Sequence, residues 1–160
     1  IQSNRFKCLN QTIYSRCQLI HFNNLSQDEL YGWAEDILQN KNDKSIIPSY
    51  MTPKKVSQLI EDGLFEDLKK LNHHLYTLFN KGIDGKVISD VIDLNIDFNE
   101  KLNYIIDFAL SISKEDTSNI HPVRLSDFIQ ELSNFRENLF EINSLNQRYS
   151  LHHLLLKIPS

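Results

Sequence analysis

Hydrophobic residues recur at intervals of three and four along most of this chain, and that spacing predicts a succession of amphipathic helices. Leu30, Trp33, Ala34, Ile37 and Leu38 share the first such face. Just ahead of them, Ser26 and Glu29 form an S-x-x-E capping box, with Leu25 and Leu30 placed as a hydrophobic staple across it. Asn40 to Ser45 reads as a polar loop. Thr52-Pro53 announces the next helix, because proline at the first helical position has no N–H to waste. Val56, Leu59 and Ile60 give that helix its inner face, and Gly63 is its expected stop.

A longer apolar series follows, Leu64, Phe65, Leu68, Leu71, Leu75, Leu78 and Phe79, and ends near Gly82. Asp84 to Leu94 predicts a further helix with Val87, Val91 and Leu94 inward. Leu102, Ile105, Ile106, Ala109 and Leu110 then make a stripe wide enough to face a core, from Asn99 to about Ser113. Lys114 to His121 is a polar connection. Pro122 opens the most regular pattern, with Leu125, Phe128, Ile129, Leu132, Phe135, Leu139 and Phe140, and a last helix carries Leu151, Leu154, Leu155 and Ile158. The opening is different in kind: Gln18-Leu-Ile-His-Phe22 is short, apolar and compatible with a strand.

Composition narrows the class without deciding the function. With 41% hydrophobic and 24% charged residues the chain has the make-up of a packed globular protein. Only four Gly and four Pro interrupt 160 residues, which favours long helices over a turn-rich β architecture, so a mainly all-α fold is expected. No apolar run approaches the roughly 18 residues of a membrane span. A net charge of −4 supplies no global attraction to nucleic acid, so any DNA contact has to come from a local patch or a partner. Two cysteines, Cys8 and Cys17, are weak grounds for an oxidising compartment, and a cytoplasmic location with reduced thiols is expected. The chain starts at Ile1 with neither an initiator Met nor a signal-peptide pattern, from which an origin within a longer protein is expected.

Metal chemistry is tempting at His73-His74 and His152-His153, but adjacent helical residues point about 100° apart, whereas metal pairs need i, i+3 or i+4 spacing and further ligands. These histidines are read as solvated helix surface. Cys17 is read as a small packing residue with no assigned chemistry.

Two segments say more than periodicity can. Thr12-Ile-Tyr-Ser-Arg-Cys-Gln18 resembles the T-[IL]-x-S-R-C-[QR] stretch of AAA+ clamp-loader subunits, standing just before the strand-like segment as it does in that family. Pro122 to Phe128, Phe135 to Leu139 and Leu145 to Lys157 resemble the last two helices of the collar domain in delta-prime subunits of bacterial DNA polymerase III. The first resemblance implies that Arg16, within the Ser15-Arg16-Cys17 motif, acts as a trans arginine finger on ATP held by a neighbouring subunit. A planar, permanently charged guanidinium suits that task, since it stabilises charge developing on the transferred γ-phosphoryl group.

The resemblance implies three parts: residues 1–23 as the end of an AAA+ core with a short β remnant, 24–62 as the helical lid, and 63–160 as the collar that builds the ring. Its implied partners are gamma/tau and delta subunits, with the sliding clamp and DNA met through the assembled complex and no membrane involved. No cofactor is expected on this chain itself, and the ATP belongs to the neighbour. Where the family often carries a Gly-Ser-Pro-Gly-Arg-like turn with a second nucleotide-sensing Arg, this chain has Met51-Thr-Pro-Lys-Lys55, so Lys55 stands as a degenerate second sensor without the bidentate fork. A gamma/tau-type ATPase fragment and an unrelated helical interaction module remain as alternatives.

Overall fold

The structure, a computed structural model, describes residues 25–38, 40–114, 120–139 and 144–159. Seven α-helices and one 3-10 helix make up these residues, and among them there is no strand. The mainly α expectation therefore holds for the described residues, while the strand-like segment at 18–22 lies outside them.

Helix α1 (Gln27–Ile37) starts as its sequence dictates: the Ser26 side chain accepts from the Glu29 N–H, and the Glu29 carboxylate accepts from the Ser26 N–H at 2.8 Å. The Ser26 N–H, together with the Ser26 hydroxyl that also donates to the Glu29 carboxylate at 2.9 Å, lowers the pKa of Glu29 from its ordinary value. Leu30 is buried, but Leu25 stays 46% exposed, so only one leg of the staple is in the core. The polar stretch that follows is a 3-10 helix, Lys41–Ile46, rather than a loop. Its Asp43 is held by the Lys69 ammonium at 2.6 Å, and Ile47 just beyond it is buried, so tertiary contacts order a stretch that lacks helical periodicity of its own.

Helix α2 (Pro53–Glu61) has Thr52 as its N-cap and Pro53 at its first position. It ends in a Schellman turn: the Leu64 N–H donates to the Leu59 carbonyl, and the Gly63 N–H to the Ile60 carbonyl. Such a turn needs a left-handed residue, and Gly63 supplies it with φ of +71°. The chain then enters α3 (Phe65–Lys81) without a loop.

The remaining helices are α4 (Gly85–Asp93), α5 (Phe98–Lys114), α6 (Pro122–Glu137) and α7 (Ser144–Leu155). Side-chain pairs set their directions. The Tyr104 hydroxyl meets Asn72, and the Phe108 ring lies 5.6 Å from that of Phe79, so α5 runs alongside α3 in the same sense. Helix α4 returns between them, its last turn resting on Lys101 at the start of α5. Phe98 meets Phe135 at 6.2 Å, while Leu110 and Pro122 share one groove, so α6 runs back along α5. Lys157 pairs with Glu131 and Gln147 with the Leu139 carbonyl, which sends α7 back along α6. The five helices α3 to α7 thus alternate in direction as an up-and-down bundle, with α1, the 3-10 helix and α2 packed at its flank.

One cluster of buried side chains extends from Leu30 to Ile158 and crosses residues 62 and 63 without a break. Every apolar residue expected inside α3 from Phe65 to Phe79 is buried. In α4 Val91 is fully buried as expected and Ile88 joins it, while Val87 and Leu94 are half-buried against the core. Among the described residues no helix is long and apolar enough to cross a membrane.

Candidate functional site

Ser15, Arg16 and Cys17 lie outside the described residues. Lys55, proposed from the sequence as a degenerate nucleotide sensor, is described, and it sits in the first turn of α2. Its backbone N–H donates to the Thr52 hydroxyl oxygen at 3.4 Å, and its ammonium pairs with the Glu100 carboxylate at 3.1 Å. Glu100 itself is in the first turn of α5, where its N–H and that of Asn99 donate to the capping carboxylate of Asp97. A cation beside a helix N-terminus opposes the helix dipole, and an anion there favours it. The pair lets Glu100 offset the unfavourable position of Lys55.

Around this pair the flank helices meet the bundle through a polar seam. The Ser49 hydroxyl donates to the Asp107 carboxylate at 3.0 Å. The Tyr104 hydroxyl lies 3.0 Å from the Ile46 carbonyl and 2.9 Å from Asn72 Oδ1. A phenol has one proton for two acceptors, so turning the Asn72 amide to present its NH2 lets the hydroxyl donate to Ile46 and accept from Asn72. Burial pushes the Tyr104 phenol well above its ordinary range, and Tyr50 and Asp107 nearby push the same way. Tyr50 is raised too, first by burial and then by the negative charges of Glu100 and Asp107. A phenol is neutral at physiological pH even without a shift, and these shifts move both groups further from acid–base work.

A second buried polar group sits at the far side of α5. Lys101 is only 3% exposed, and its ammonium donates to the carbonyls of Ile92 at 2.6 Å and Leu94 at 3.1 Å. The last carbonyls of a helix have no helical N–H to accept, so Lys101 caps the C-terminus of α4 and complements its negative end. Burial pulls its pKa down, and the Arg148 charge adds to that effect. Arg148 also pairs with Asp93, tying α7 to the same helix end. The sequence reading passed over Lys101, although 101, 105 and 109 are spaced by four and place it on the buried stripe of Ile105 and Ala109.

His73 is exposed and His74 half-buried, with ring centroids 6.1 Å apart; among the described residues no group of three or more His, Cys, Asp or Glu could hold a metal ion. An open groove of about 280 Å³ lies between the end of α5 and the start of α6 and is lined mainly by Leu110, Ile120, Pro122, Leu125 and Ile129. The polar chemistry of the described residues is that of ion pairs and helix caps between elements of the same chain. In comparison with known proteins, no family model, no curated protein and no solved structure matches the chain.

Proposed function

We propose that the chain is a delta-prime-like stator part of a bacterial DNA polymerase III clamp loader, a cytoplasmic assembly, and that it hydrolyses no ATP itself. Its helices join the subunit ring, residues 24–62 acting as lid and 63–160 as collar. Arg16 reaches the ATP of a neighbouring gamma/tau subunit, whose turnover drives loading of the sliding clamp onto DNA. The observation that carries this reading is the Ser15-Arg16-Cys17 motif in its Thr12 to Gln18 setting, followed by described residues that are helical. A guanidinium supplied in trans to a phosphoryl-transfer site accelerates it by roughly 10³–10⁵.

The Lys55–Glu100 pair favours the stator over a gamma/tau-type ATPase fragment. A second sensor has to offer its cation to a nucleotide phosphate, and the Lys55 ammonium is engaged by a carboxylate of its own chain. The reading is tested by mixing the protein with gamma/tau and delta subunits and separating the mixture by size. Incorporation into a stable ring, with ATPase that collapses in Arg16→Ala while assembly is retained, is the expected result. A chain that elutes apart from those subunits is a helical interaction module of another kind, and normal ATPase in Arg16→Ala overturns the finger.

A further inference from the structure

We draw no further inference here: the strongest candidate, the apolar groove between the end of α5 and the start of α6, carries nothing because nothing in the structure shows what covers it.

Discussion

Replacing Lys101 by Met keeps most of the aliphatic stem and removes the ammonium, so it isolates the cap from the packing. Two effects oppose each other. The Ile92 carbonyl loses its donor in a place that admits little water, and an unsatisfied buried acceptor costs about 1–3 kcal/mol. The Leu94 carbonyl suffers less, because it also accepts from the Ile96 N–H at 2.9 Å. Against this, Met relieves the burial of a charge, the same burial that pulls the Lys101 pKa down. The acceptor is expected to outweigh the relief because the bond to Ile92 is short, at 2.6 Å, and charge-assisted, leaving a net loss of about 1–2 kcal/mol. For a chain of this size that is a fall in Tm of roughly 2–8 °C.

Lys101→Ala also removes stem methylenes, each worth about 0.8 kcal/mol, and should lose a further ~2 kcal/mol. Urea unfolding followed by circular dichroism reads both variants as shifts in midpoint at constant slope. Linkage adds an independent check. With the folded pKa depressed, the unfolded chain binds the proton more tightly, so stability rises with pH between the folded value and the unfolded value near 10.4. That rise should be missing from Lys101→Met. A Met variant as stable as the parent, or more so, refutes the cap and makes Lys101 a buried charge tolerated at a net cost.

Three further outcomes are expected. Tyr104→Phe leaves the Ile46 carbonyl and the Asn72 amide without their shared hydroxyl and should cost about 1–2 kcal/mol in denaturant unfolding; because the phenol is raised in the fold, its contribution is complete below pH 10 and fades only as pH rises above that value. Gly63→Ala meets no atom within 4 Å but must hold φ near +71°, so calorimetry should show a loss of about 1 kcal/mol from backbone strain alone. Lys55→Met breaks a pair whose side chains are 37% and 29% exposed, and should change stability by less than about 1 kcal/mol, with the difference shrinking in high salt.

Local signals were legible without the structure wherever a helix end depends on its own neighbours in sequence. Ser26 with Glu29, Thr52 with Pro53, Asp84, Gly63 and Gly82 act over two to five residues, and each stands at a helix boundary. The core of α3 was legible for the same reason, since six apolar residues at helical spacing leave one face to bury. Of the candidate site, Arg16 and Lys55 are both reached through resemblance alone.

What the pattern could not supply is the identity of a partner brought in by folding. The Asn40 to Ser45 stretch has no periodicity, and it is the Asp43–Lys69 pair that accompanies its 3-10 turn. Nothing in the pattern pairs Lys101 with the two carbonyls that α4 presents to it, or Tyr104 with Ile46 and Asn72. Lys55 reads as a free charge until α5 brings up Glu100. Sequence alone determined where this chain turns helical and which faces are apolar, because capping bonds and side-chain spacing are short-range. Tertiary structure decided which polar groups are fastened and which stay open, because a hydrogen bond or ion pair exists only once both ends are within about 3 Å of each other.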